Sequence, residues 1–402
     1  MTLPPDSYKL RQFSALIAIL SSVFVLIIGN GLMNTLVSYR AKVDHFPDIA
    51  IGLIGSLYFV GMLAGTVAAP FIIRRAGYIR AFAALTTISV IAALAFPVAL
   101  NPYVWMVLRA LIGFCFAGLY AVIEVWVNAS AEPGRRGHTY ALYQLVTFAG
   151  STLGQQVFSF GDAQSYQMFS AGAVFFALAI LPMAFTTSDP PSAPNSAKFR
   201  LLWLMKQSPI GAAAALIVGC CNGTFWSLAA VYGIGIGLSA QNIGLFTTFI
   251  VLGSAIAVWP FGRLSDRLGR RAVLLGLVLA SMAMEIIMVL LRQPSITLLC
   301  GVGFFLGGFM FSQYSQAITH TTDRVGPDHS LQVSAGLLAL YCIGAILGPV
   351  AASSLMLHFG PQMLFAQAAA VHAMLALFIA YRMREKPAPA ATLQSKEPSL
   401  AQ

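Results

Sequence analysis

The 402-residue chain is poor in charge and poorest in acid: charged residues make up 9% of it, with 13 Asp and Glu against 23 Lys and Arg. A globular domain in water needs a much larger polar surface, so this scarcity excludes an ordinary soluble enzyme or adaptor. Cysteine is also scarce. Cys115, Cys220, Cys221, Cys300 and Cys342 all lie in apolar segments, without a C-x-x-C and without a neighbouring histidine pair. They read as small core residues, and neither a disulfide framework nor a metal site is expected. No G-x-x-x-x-G-K-[ST] is present, so direct ATP use has no support. Nor does any nucleophile and base pair or glycine-rich phosphate loop stand out, and the expectation is of no enzyme and no cofactor.

What the chain has in abundance is apolar sequence, at 58% hydrophobic residues and a mean hydropathy of +0.80. Its formal charge of +10 falls in short segments between apolar runs rather than on one face of a domain. That pattern follows membrane topology and does not indicate a nucleic-acid partner. Residues 1–12 are a polar entry, expected to be cytoplasmic. Six candidate spans follow at about 13–38, 49–73, 78–100, 102–129, 138–160 and 163–185, the first long enough to be structure rather than a cleaved signal. Residues 186–207 form a linker, Pro- and Ser-rich at first and amphipathic around Trp203. Six more spans fall at about 208–237, 240–261, 272–291, 295–321, 330–357 and 361–381, and the end from 383 to 402 reads as a disordered tail.

If twelve helices alternate, Arg74, Arg75, Arg80, the linker cations and the basic end share one side, and Arg40, Lys42 and Arg292 the other. Both termini are then cytoplasmic. The two sets of six also resemble each other. AAPF at 68–71 precedes a basic turn as VWPF at 258–261 does, and GSTLG at 150–154 answers GAILG at 344–348. The expected fold is all-α: twelve transmembrane helices in two pseudo-symmetric six-helix bundles, 13–185 and 208–382.

Between spans eight and nine stands GRLSDRLGRR, residues 262–271. Gly262 and Gly269 suit a tight reversal, and Asp266 is a lone acid among Arg263, Arg267, Arg270 and Arg271. This stretch resembles the cytoplasmic loop of the major facilitator superfamily, G-x-L-[SA]-D-[RK]-x-G-R-[RK]. The resemblance implies a latch on the cytoplasmic gate. The first-half turn, IIRRAGYIR at 72–80, lacks the acid. By pseudo-symmetry Asp266 is expected to face the start of span five near Gly137–Thr139, and Arg74 or Arg75 to meet Asp328. Reversing Arg75 and Asp328 singly is expected to abolish transport, and reversing both to restore it.

Three longer stretches, LIGFCFAGLYAVIEVWVN at 111–128, VYGIGIGLSAQNIG at 231–244 and THTTDRVGPDHS with SAGLLALYCIGAILGP through 319–349, resemble the YcaD-like branch of that superfamily. The likeness implies a secondary transporter of the bacterial inner membrane, working by alternating access. Arg109 matches the superfamily's R-x-x-x-G of helix four and is implied in proton or substrate coupling, the alternative being an arginine that snorkels to the surface. Glu124, fifteen residues on along the same helix, is either a titratable acid near the cytoplasmic mouth or a gate acid bonded to donors such as Arg135. Glu285 reads as structural or paired with a neighbouring helix, and is the third coupling candidate. Asp48 reads as a helix N-cap. His320 and His329 read as surface residues.

The candidate cargo contacts are Asn30 and Asn34, Tyr120, Gln144, Asn222, Phe225 and Trp226, and Gln313, Tyr314 and Gln316. Amides and rings without fixed charge suit a small neutral or weakly charged, partly aromatic solute, a vitamin such as riboflavin being one concrete case. Proton-coupled uptake by a monomer is the first expectation and export of drugs or metabolites the alternative, because GAILGP in span eleven has no first-half counterpart with proline. A sensor or scaffold on the same fold is the third.

Overall fold

A computed structural model describes residues 5–130, 136–185, 200–292, 294–326 and 329–384. Fourteen helices account for the architecture of these residues. The first bundle comprises α1 (Pro5–Val43), α2 (Asp48–Ala76), α3 (Tyr78–Ala95), α4 (Pro102–Ser130), α5 (Arg136–Phe160) and α6 with α7 (Gln167–Leu178 and Ile180–Ala184). The short α8 (Leu201–Gln207) leads into α9 (Pro209–Gly235), α10 (Ala240–Leu268), α11 (Arg270–Leu290), α12 (Ile296–Val325), α13 (Ser330–Phe359) and α14 (Met363–Arg384).

Among the described residues, eleven helices are long and apolar enough to cross a membrane, with α6 and α7 acting as one. The twelfth expected span is α5. It has 25 residues, but Gln144, Gln155, Gln156 and its hydroxyl side chains dilute its apolar character. Polarity is tolerated there because α5 lies between α1 and α10, where Gln155 and Gln156 find partners.

The repeat is visible in atomic detail. At Gly61 an added Cβ would overlap the Ala110 carbonyl oxygen, and at Gly253 the Phe304 carbonyl oxygen. Gly113 meets the Tyr58 carbonyl in the same way, and Gly307 that of Ile250. On the first member of each pair, 253 − 61 and 250 − 58 are both 192, and on the second, 304 − 110 and 307 − 113 are both 194. The helix pairs α2–α4 and α10–α12 are thus built on matched close approaches. Gly150 and Gly154 of α5 likewise lie against Phe24 and Ile28 of α1, as Gly344 and Gly348 of α13 lie against Leu216 and Cys220 of α9. Carbonyls can come this near a neighbouring helix only where no side chain intervenes.

The basic turns are sharper than their composition suggests. α10 runs on to Leu268 and α11 begins at Arg270, so Gly269 alone makes the reversal, at φ 89°. Gly262 lies inside the helix with open space around it and takes no part in the turn. Arginine and leucine propagate a helix into the aqueous layer, and only the residue that tolerates positive φ stops it. Gly77 does the same between α2 and α3, at φ 80°. α8 docks through buried Leu204 on α13 and leaves Leu202 exposed, as an amphipathic segment should.

At the end opposite the basic turns, two of the cations are neutralised. Arg40 pairs with Asp44 at 3.2 Å and Lys42 with Asp48. Asp48 is therefore no N-cap: Pro47 holds the cap position, and Asp48 is spent on Lys42 in the first turn.

The halves meet through α2 with α13, α5 with α10, and α9 with both α1 and α2. Their contacts gather toward the end opposite the basic turns. Gly52 lies against Pro349 and Ser353, Gly55 against Ser227, and Gly244 against Ser159. Ser159 donates to the Gln241 carbonyl at 2.9 Å and Gln156 to Thr248 at 2.7 Å. By contrast, the main packing partners of α4 all lie in the first half and those of α12 in the second. The hydrogen bonds of Ser159 and Gln156 and the close backbone approaches at Gly52, Gly55 and Gly244 between the bundles lie toward the end opposite the basic turns.

Candidate functional site

The deepest charge in the first bundle is Arg109, and it does not snorkel. The residue is 4% exposed. Its Nη2 donates to Asn34 Oδ1 of α1 at 3.1 Å, and its guanidinium carbon stands 4.6 Å from the centre of the Tyr58 ring on α2. Nε and Nη1 are buried without a hydrogen-bond partner. A cation in an apolar interior is costly unless something of opposite polarity meets it, and a tyrosine face and one amide oxygen offset only part of that cost.

From Tyr58 a wall of rings crosses to the second bundle. Tyr58 meets Phe59 at 5.2 Å, Phe59 meets Tyr341 of α13 at 6.3 Å, and Tyr341 meets Tyr314 of α12 at 5.1 Å. The second of these links crosses the interface. Asn30 and Asn222 occupy equivalent places on α1 and α9, since 222 − 30 is again 192. Each leaves a buried Oδ1 without a partner. Polar atoms held like this are pre-placed for a ligand's donors.

Glu124 is exposed, yet its carboxylate lies within electrostatic reach of Tyr120, Tyr140 and Tyr143 and, from the other bundle, Tyr314. Glu124 is thus placed near tyrosines of both halves. No cation pairs with it among the described residues; Arg135, its expected partner, lies outside them.

Several expected cargo contacts point elsewhere. Gln313 is fully buried and donates to Ser281 of α11 at 2.8 Å, away from the other bundle. Gln316 reaches toward the Phe261 carbonyl of α10 at 3.5 Å. Both amide nitrogens bond within the second half, since at 100° per residue they leave the face that carries Tyr314, and each side chain keeps a buried Oε1 without a partner. Phe225 is 3% exposed and packs against Phe246, Phe311 and Trp226. Trp226 and Gln144 remain half-buried.

At the basic end, Asp266 is held by Arg270 at 2.6 Å, and the same guanidinium donates through Nε to Asp323 of α12 at 2.9 Å. Arg270 thus joins three helix ends, and nothing in the loop motif points to its partner Asp323. Arg267 and Arg271 contribute no ion pair among the described residues. Arg74 donates to the Pro70 carbonyl of its own helix at 3.2 Å and Arg75 is exposed. Asp328, the expected mirror partner, lies outside the described residues, as do the side chain of Gly137's neighbour Arg136, the linker 186–199 and the chain from 385.

His320 is 7% exposed and thus not a surface residue, whereas His329 is exposed beside Trp203. Glu285 is completely buried and meets His372 of α14, as a residue paired with a neighbouring helix should. Cys221 stands 3.8 Å from the same imidazole. Residues 221, 285 and 372 have no spacing signature, so only the folded bundle reveals the cluster.

The model of the Major Facilitator Superfamily matches residues 19–244 and 211–401. The MFS-type transporter YcaD of Escherichia fergusonii is 26% identical over 378 residues, covering 93% of this chain and 97% of the relative. YcaD of Salmonella typhimurium is 26% identical over 379 residues, with the same coverage. Among solved structures, the nucleoside transporter NupG superposes with a TM-score of 0.78 at 13% identity, over 92% of this chain and 100% of that one. A bacterial homologue of the human lysosomal transporter Spinster, in an inward-facing and occupied conformation, gives 0.74 at 15% identity, over 96% of this chain and 98% of that one.

Proposed function

The chain belongs to the Major Facilitator Superfamily, in its YcaD-like branch, and we propose that it is a proton-coupled secondary transporter of a small, partly aromatic solute that presents an acceptor oxygen to Arg109. The observation that carries this reading is the buried Arg109 with two unpartnered donors, set at one end of an aromatic wall that reaches both bundles. Rings supply area, the orphan oxygens of Asn30 and Asn222 supply acceptors, and the guanidinium supplies a fork for a carbonyl or weak acid.

The distribution of contacts between the halves supports alternating access. The contacts at Gly52, Gly55, Gly244 and Ser159 gather at the end opposite the basic turns, and in this reading the halves part at the basic end, which the positive-inside rule assigns to the cytoplasm. In this reading the protein lies in the bacterial inner membrane with both ends of the chain inside, works as a monomer, and is open inward. Glu124, accessible from that opening, is the group that takes up and releases the coupling proton.

The test is to lock the closed end. Cysteines replacing Gln155 and Thr247, which are hydrogen-bonded across the interface at 2.8 Å, would be joined by a short thiol-specific cross-linker in membrane vesicles. Solute flux is expected to stop on cross-linking and to return when a cleavable linker is reduced, while binding from the inner side persists. Flux that continues at full rate through the locked protein would overturn the alternating-access reading.

A further inference from the structure

The Cys221, Glu285 and His372 side chains converge from α9, α11 and α14, and none is more than 1% exposed. His372 Nδ1 lies 2.9 and 2.8 Å from the two Glu285 oxygens, and Cys221 Sγ is 3.8 Å from the same nitrogen. The three ligand atoms all fall within 4.8 Å of one another. His372 Nε2 has no hydrogen-bond partner, so the ring is anchored only on the side facing this cluster.

Three such groups in an apolar bundle are tolerable only where their charges cancel. A thiol with one proton shared between imidazole and carboxylate sums to zero. So does a divalent ion on a thiolate, a carboxylate and a neutral imidazole. We propose that this cluster is a binding site for a divalent transition-metal ion of the zinc class, held by Cys221 Sγ, His372 Nδ1 and the Glu285 carboxylate.

The donor set favours that class, because thiolate with imidazole suits zinc-like ions whereas magnesium and calcium take oxygen ligands. The geometry is close. Zinc–sulfur and zinc–nitrogen bonds of about 2.3 and 2.0–2.1 Å place tetrahedral neighbours roughly 3.6 Å apart, near the 3.8 Å between Sγ and Nδ1. The histidine and carboxylate stand at the spacing of a shared proton and would part by roughly half an ångström. Both oxygens of Glu285 face the site, so a bidentate carboxylate completes four donors. On loading, the ion displaces the thiol proton and the proton shared by His372 and Glu285. Two protons leave, no electron moves, and the net charge of the site is unchanged. Bound there, the ion fastens three helices of the second bundle to one another, among them α9, which rests on the first bundle through Ser227. The inference does not depend on the transport reading.

Purified, tag-free full-length protein should carry about one equivalent of zinc by elemental analysis. After chelation, titration with cobalt(II) should produce a thiolate-to-cobalt charge-transfer band, release two protons per ion into a weakly buffered indicator, and raise the apparent Tm. Cys221→Ala, a small change at a buried site, should abolish the band and weaken binding by at least about a hundredfold, the most that loss of an outer-shell partner typically costs. Cys220→Ala, which removes the adjacent thiol that accepts from Gln367, should leave both intact. Absence of stoichiometric zinc together with absence of the cobalt band would overturn the proposal. A band that survives Cys221→Ala would overturn it equally.

Discussion

Arg109 and Asn34 bind α4 to α1 through a single 3.1 Å hydrogen bond, which leaves two of the arginine's donor nitrogens unused in the middle of the first bundle. If those nitrogens receive the solute, Arg109→Gln should cut affinity by about a hundredfold, since two charge-assisted bonds are worth about 3 kcal/mol together. Asn34→Asp tests the same idea from the other side. It gives the guanidinium a permanent carboxylate, so transport should fall while the apparent Tm holds or rises. Thermal unfolding and vesicle uptake on the same preparations separate the two effects.

Glu124 is exposed and within electrostatic reach of tyrosines from both bundles. Glu124→Gln keeps the shape and removes the titratable proton. Concentrative, uncoupler-sensitive uptake is expected to disappear, whereas exchange of labelled for unlabelled solute persists. Loss of both would make Glu124 a structural residue instead.

The matched glycines predict matched damage. Gly61→Ala and Gly253→Ala each drive a methyl into a carbonyl oxygen of the facing helix, and overpacking of this kind costs about 1–3 kcal/mol. Both variants should lower the apparent Tm by similar amounts. Gly276→Ala, where nothing lies within 4 Å of the added carbon, should leave it unchanged.

Arg270 ties Asp266 to Asp323 in a partly exposed network. Exposed pairs are worth up to about 1 kcal/mol each, so Arg270→Ala should leave folding intact. Such an energy still shifts a two-state equilibrium about fivefold. The expected result is a several-fold change in turnover with solute affinity little altered, measured by comparing flux with equilibrium binding.

The chain's hydropathy revealed its class because span length and the spacing of basic segments are one-dimensional signals. The repeat was legible in two short motifs, and the glycine equivalences that prove it needed the helices to be paired. Arg109 and Glu124 were identifiable as charges in or near an apolar run. What they face was not, since partners such as Asn34 and Tyr58 lie 75 and 51 residues away along the chain. Helix number alone points Gln313 and Gln316 to the cavity, and helical phase turns their amide nitrogens to α11 and α10. The reach of Gly269 as the sole break was hidden by a motif that looks like a ten-residue loop.

The close approaches described above run α2 to α4 and α1 to α5 in one bundle, α10 to α12 and α9 to α13 in the other. In each half two helix pairs are therefore held by their own backbones, and the covalent link between residues 185 and 200 need not carry that cohesion. Two separately translated polypeptides, one ending at the first bundle and one beginning at the second, should find each other in the membrane and recover uptake, and co-purification of the unlinked pieces would register it.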